Sequence, residues 1–431
     1  MKRRDFLQTL GAGSALAALL PLSIRETLAA ALNLPEFVIT EVEVLRISGP
    51  RERTRGPTGQ HQVNPLHIYP DRRPKPFRES PARQESYTAR HHYLRIRTKG
   101  GHEGIYGYVD SEALPTILGP LRRLLIGQDA LAIEKLWDQM YRSNRHARAS
   151  HYMMGISYCD NALWDLRARF LDIPVFRLLG GPTQHPVRVY GSCLGFPVDP
   201  PLAAKRAAQL ENDGFIHQKW FLAYGPGDGQ KGMDLNVALV RELRAAVGDD
   251  VEIGFDAYQG WDLNYAIQWC RKVEQYRPWF IEEAFPMADV ESFIRLRQST
   301  GVPVATGEHF YNRWEVQQFL KADALHYVQA DPEWCGGISE VAKICQLASV
   351  HGVRVMPHCH NVHAALAIVA SQSPSVCPAG EFLINHVAEK QWFIKDPLVA
   401  VNGLVALPEK PGFGIEFDAA KIAKQETLTE L

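Results

Sequence analysis

A chain of 431 residues can bury a large core, and its length points to two or three domains. Hydrophobic residues make up 46% and charged residues 22%, the balance of an ordinary globular protein. A formal net charge of -1 excludes bulk attraction to nucleic acid or to an anionic membrane. The local basic stretches at residues 51–55 and 90–99 read as solvated loop and strand faces.

The first 32 residues have the form of a signal peptide, with a positive head at Lys2, Arg3 and Arg4, a short apolar body LGAGSALAALLPL, and small residues at Ala29, Ala30 and Ala31. The body is short for a membrane span, so cleavage without stable membrane insertion is expected, with a retained anchor as the alternative. Arg3, Arg4, Asp5, Phe6 and Leu7 resemble a bacterial twin-arginine export signal. That resemblance implies the twin-arginine export machinery as a partner and a periplasmic location. Seven cysteines, odd in number and without a paired short spacing, do not form a disulfide framework. Folding before export, which the twin-arginine signal implies, reconciles reduced thiols with an oxidising destination.

Residues 37–49 alternate apolar and polar side chains like a half-buried antiparallel strand. Residues 91–109 repeat that pattern around Gly100 and Gly101 and read as a hairpin. Between them, residues 56–84 are rich in Pro, Gly and charge, a loop length that marks a functional flap or an irregular surface crossing. It carries His61, Asn64, His67 and Arg72, side chains suited to contacting a polyol. Helical segments follow over about 114–147. Residues 150–181 then space apolar side chains at three and four and stop at the pair Gly180 and Gly181.

From Val187 the pattern changes to that of a βα barrel, with a first strand at residues 187–193 and a second at 216–221. Five apolar runs follow, each ending on one ionisable residue: Asp256, Glu282, Glu308, Asp331 and His358. The intervals of 26, 26, 23 and 27 residues each hold one strand, one helix and two loops. Runs of this kind suit strands buried on both faces, and in a barrel they deliver their tips to one mouth. Three carboxylates gathered there repel one another unless a cation holds them, and oxygen ligands favour a hard ion such as Mg2+. An Asp and a His come next, and a carboxylate orients an imidazole and raises its basicity. Metal and base together equip a site to remove a weakly acidic proton beside a carboxylate. Glu283 points the other way along its strand and reads as a supporting partner. The local cluster His358, Cys359, His360 and His363 leaves zinc as an alternative. After a last strand near residues 380–384, the Pro- and Gly-punctuated tail fits a return across the first domain.

The ALWDL and LLGG segments, the spaced acids, the QADPEWCGG run, His358 after Pro357, and the PGFGIEFD tail together resemble the enolase superfamily, in its mandelate racemase branch. The resemblance implies an α/β protein with a modified TIM barrel of (β/α)7β type over residues 171–399 and an N-terminal α+β capping domain over 33–170, completed by 400–431. It implies one Mg2+ per active site on Asp256, Glu282 and Glu308, His358 as base, and Asp331 as its orienting partner. Lys219 matches the first lysine of the family's Lys-x-Lys pair, but Phe221 stands where the second would be, which disfavours two-base racemisation. Glu381 occupies the region of an electrophilic acid, which burial would keep protonated, and His309 lies near the mouth as a secondary acid. The segments KWFLAYGPGDG, GEHFYNRW, DPEWCGGISE and VHAALAIVASQSP look like those of rhamnonate dehydratases and related acid-sugar dehydratases. The expected activity is therefore dehydration of an aldonate to a 2-keto-3-deoxy acid by a homo-oligomeric enzyme. A racemase or epimerase on the same scaffold, or a non-catalytic exported sugar-acid binding protein, is the alternative.

Overall fold

The computed structural model describes residues 35–55, 62–74 and 83–430; the signal segment and His61 lie outside them. The first domain is built on a four-stranded antiparallel sheet. Its strands are β1 (Ile39–Arg55), β2 (Arg83–Thr98) and β3 (Glu103–Gly107), joined at the far edge by β12 (Lys424–Leu428) in the order β12-β1-β2-β3. The β2–β3 connection turns at Gly101, whose φ of 81° suits glycine. β1 runs six residues beyond the alternating stretch, because residues 50–55, four of them charged, pair with 83–88 as a polar two-stranded ribbon.

The helical segments expected over about 114–147 are present as a continuous helical run over 114–125, widened to a π-turn around Pro120, and a second helix at Ile133–Ser143. The long helix α1 (Ser150–Phe170) is buried on nearly every side, lying between the sheet and the barrel. Its Asp165 accepts hydrogen bonds from Ile105 N–H of β3 (2.8 Å), Phe413 N–H of the tail (2.8 Å) and Arg169 (2.6 Å). One buried carboxylate thus joins sheet, helix and tail. A Cβ on Gly412 would stand 2.1 Å from Asp165 Oδ1, so the tail can approach this closely only with glycine there.

Eight parallel strands form the barrel: β4 (Val187–Ser192), β5 (His217–Phe221), β6 (Glu252–Asp256), β7 (Phe280–Glu282), β8 (Val304–Thr306), β9 (Tyr327–Val328), β10 (Arg354–Val355) and β11 (Gly380–Leu383). Each pairs with the next from β4 to β10, and β11 pairs with β4. The ring closes where Glu381 N–H donates to Pro357 O at 3.1 Å. A helix of nine or more residues lies in each of the seven connections, giving the (β/α)7β arrangement. Several of these helices begin at side-chain caps, Asp199, Asp262, Asp289 and Asn312, which satisfy the first free N–H groups. The tail leaves through a short hairpin on β4, and β12 then pairs with β1 in the register Val44↔Leu428. All seven cysteines are buried and free. Among the described residues, no helix is long and apolar enough to cross a membrane.

Candidate active site

The ends of β6, β7 and β8 bring Asp256, Glu282 and Glu308 together. Each offers one carboxylate oxygen, these oxygens all lie within 4.8 Å of one another, and all three residues are buried. Asp256 and Glu282 are the last residues of their strands, while Glu308 sits two beyond β8. Lys219 on β5 reaches into the cluster, with Nζ 2.6 Å from Glu282 Oε1, 2.9 Å from Glu381 Oε1 and 3.3 Å from Asp256 Oδ2. Gln329 donates to the other oxygen of Glu282 at 2.5 Å.

One ammonium does not balance four buried carboxylates. Burial, reinforced by the neighbouring charges, pushes Asp256 up to about 6 and raises Glu282 and Glu308, in each case against the pull of a nearby cation. A compact all-oxygen donor set with surplus negative charge is the chemistry of a hard divalent cation site, so the residues present fit Mg2+.

Across this cluster stands His358, three residues beyond β10. Its Nδ1 donates to Asp331 Oδ2 at 2.5 Å, while Nε2 lies 3.9 Å from both Glu308 Oε2 and Glu381 Oε2. Burial disfavours charge on His358, yet Glu308, Glu381 and Asp331 raise it to about 9. Asp331 is buried too, but its hydrogen bond from His358 holds it down to about 2. An ionised carboxylate at Nδ1 leaves Nε2 as the atom that exchanges protons.

A second imidazole–carboxylate pair faces the same cluster. His309 Nδ1 lies 2.7 Å from Glu283 Oε1, and Gln259 Nε2 holds that carboxylate at 3.1 Å. Although burial opposes it, the Glu283 hydrogen bond and charge raise His309 to about 9. Glu283 is the supporting partner expected of it, but simple strand alternation does not place it. β7 ends at Glu282, and Glu283 takes a left-handed φ of 45° that turns it toward His309.

Glu381 is buried as expected; burial works to raise it, and Lys219 and His358 outweigh that and hold it below the ordinary carboxylate range. Lys219, 1% exposed, is paired with three protein carboxylates. Phe221 fills the position two residues on, with its ring 5.4 Å from Lys219 Nζ. Among the described residues the zinc alternative gathers no donor cluster, since His363 binds Asn361 and His360 faces Asp110 and Lys390.

Residues 62–74 cross over the barrel near the loops after β5 and β6. Val63 N–H donates to Leu222 O at 2.8 Å, and its buried side chain wedges between Gly225 and Gly260. Asn64 is occupied within this loop, capping Leu66 N–H at 2.9 Å and lying 3.0 Å from His67 Nε2. Arg72 is two-thirds exposed beside Asp71, and no contact joins it to the acid cluster. Sequence reasoning missed Trp334, whose ring stacks on His358 at 4.8 Å. Only its place three residues after Asp331 hinted at it.

Comparison with known proteins agrees with this geometry. Residues 202–421 match the family model described as enolase C-terminal domain-like, and residues 66–180 match the mandelate racemase / muconate lactonizing enzyme N-terminal domain. The chain is 32% identical to a D-galactonate dehydratase of Verminephrobacter eiseniae, over 77% of this chain and 90% of that protein. It is 31% identical to an L-rhamnonate dehydratase of Saccharopolyspora erythraea, over 69% and 75% respectively. A racemase from Streptomyces coelicolor A3(2), solved with bound magnesium, shares the fold at a TM-score of 0.70 and 23% identity, with 89% of this chain and 98% of that one covered. The chain belongs to the enolase superfamily, in its mandelate racemase branch.

Proposed function

We propose that this protein is a Mg2+-dependent dehydratase that converts a sugar acid, an aldonate of the rhamnonate or galactonate type, into a 2-keto-3-deoxy acid. The observation that carries the reading is the His358–Asp331 pair, whose free Nε2 faces a buried cluster of three carboxylates. Kinship to galactonate and rhamnonate dehydratases supports the substrate class.

In this reading Asp256, Glu282 and Glu308 hold the ion. When bound, the ion supplies Lewis-acid stabilisation of the charge that develops on the substrate carboxylate as the α-proton leaves. Lys219 offsets part of the ligands' own charge and keeps Glu282, Glu381 and Asp256 in place. His358, once deprotonated, takes the α-proton at Nε2, and Asp331 stabilises the imidazolium that results. The β-hydroxyl then departs as water with a proton from His358, a syn elimination, and the enol tautomerises to the keto acid. His309, held by Glu283, is the secondary acid and a donor to a substrate hydroxyl. Racemisation through an opposing lysine is disfavoured because Phe221 has no proton to give and Lys219 is engaged.

Residues 1–32 act as the twin-arginine signal, and the mature protein works in the periplasm as a homo-oligomer. A keto-acid screen over acid sugars, with Mg2+ and again after chelation, tests the activity. Product that appears only with the metal supports it, and epimerised substrate without keto acid would replace it with the epimerase reading.

A further inference from the structure

Between the two imidazoles lies an indole that the proposed chemistry leaves unused. Trp334 stacks on His358 with ring centroids 4.8 Å apart and an interplanar angle of 30°. Its centroid is also 5.5 Å from that of His309 and 5.2 Å from that of His360. A single hydrogen bond from Nδ1 to Asp331 fixes one point of the His358 ring but leaves the ring plane free to turn. A flat ring against its face removes that freedom and so fixes the direction of Nε2.

Trp334 is itself held from the other domain. Its Nε1–H donates to Asp110 Oδ2 at 3.1 Å. Asp110 follows β3, and it also meets His360 Nε2 at 2.8 Å and Tyr158 OH of α1 at 3.2 Å. The backbone beneath Trp334 is fixed independently: Glu333 N–H donates to Asp331 Oδ1 at 2.6 Å and Cys335 N–H to Asp331 O at 2.7 Å. The side-chain plane is the freedom that remains, and Asp110 sets it.

We propose that Trp334 is a positioning residue for the base and that Asp110 sets its orientation from the first domain, so that proton abstraction depends on that domain being seated on the barrel. This rests on the reading of His358 as base.

The test uses the full mature protein. Trp334→Leu should lower kcat by about 10- to 10²-fold, the scale of a misplaced reacting group, with KM within about threefold of wild type. Substrate deuterated at C2 should show a larger isotope effect on kcat in this variant, because the transfer to His358 becomes the slow step. Trp334→Phe keeps the stack and should lose less. Asp110→Ala should resemble the Trp334 variants, and Asp110→Asn, which keeps an acceptor for the indole N–H, should recover most of the activity. In metal-free, 15N-histidine-labelled protein, Trp334→Leu should move the His358 ring resonances, a readout that needs no turnover.

Unmoved resonances together with an unchanged isotope effect would overturn the proposal, as would a fall in kcat with no change in isotope effect. If Trp334→Leu does not fold, the contrast between Asp110→Ala and Asp110→Asn decides by the same isotope effect. Wild-type protein that makes no keto acid from any acid sugar would instead remove the dehydratase reading, and the resonance shift would still judge the positioning.

Discussion

At the scale of single residues, the gathering of the acids and His358 was legible because each closes an apolar run and a barrel must bring such tips together. Their company was not. Lys219 shows no sign in the sequence of meeting Glu282, Glu381 and Asp256, since those contacts join strands β5, β6, β7 and β11. His358→Asn should cost about 10²- to 10⁴-fold in dehydration while metal affinity, followed by titration calorimetry, stays near wild type. Loss of metal binding in that variant would show that His358 holds the ion rather than the proton. Lys219→Met should destabilise the metal-free protein by about 3–5 kcal/mol, because it strands buried carboxylates without their counter-charge. Denaturant unfolding should show that loss, and saturating Mg2+ should narrow it. A variant as stable as wild type without metal would mean that the cluster carries less charge than the geometry implies.

Among elements, the loop that carries Asp331 is held by α1. Asn161 Oδ1 accepts from Ile338 N–H at 3.0 Å and Ser157 Oγ from Gly336 N–H at 2.7 Å, while Asp160 Oδ2 accepts from Ser339 N–H at 2.9 Å at the start of α2 (Gly337–Val350). Three polar residues at 157, 160 and 161 read as an ordinary helix face until the structure shows what they cap. Burial, opposed by the Ser339 hydrogen bonds, pushes Asp160 up to about 7 from an ordinary 3.8. Between those values the folded chain keeps a proton that the unfolded chain has released, so stability falls as pH rises from about 4 to about 7, by on the order of 4 kcal/mol. Asp160→Asn removes that titration. Its stability relative to wild type should therefore improve from pH 4.5 to pH 8, and parallel unfolding curves at both values would show that Asp160 is ionised throughout. The loop of residues 62–74 invites a second test. A Cβ at Gly260 would stand 2.6 Å from Val63 Cγ2 and 3.0 Å from Asn64 N. Overpacking of this kind costs about 1–3 kcal/mol, so Gly260→Ala should lift the loop and raise KM about tenfold or more, with kcat changed less. An unchanged KM would separate this loop from substrate binding.

For the whole molecule, strand rhythm made the barrel readable, while the seam between domains was not, because Trp334 and Asp110 or Tyr106 and Glu333 meet across more than two hundred residues of sequence. Routing is a property of the chain as a unit, and replacing Arg3 and Arg4 with Lys should leave the protein in the cytoplasm; fractionation that still recovers it from the periplasm would count against the twin-arginine route. The pairing of β12 with β1 bears on when the first domain's sheet can close. A nascent chain exposes the open edge of β1 early, and the strand that covers it is made only after the entire barrel. An uncovered edge is a template for another chain, so the newborn protein is sticky throughout translation and becomes safe only on its final stitch. The sheet is thus protected only in a chain whose synthesis has passed Leu428.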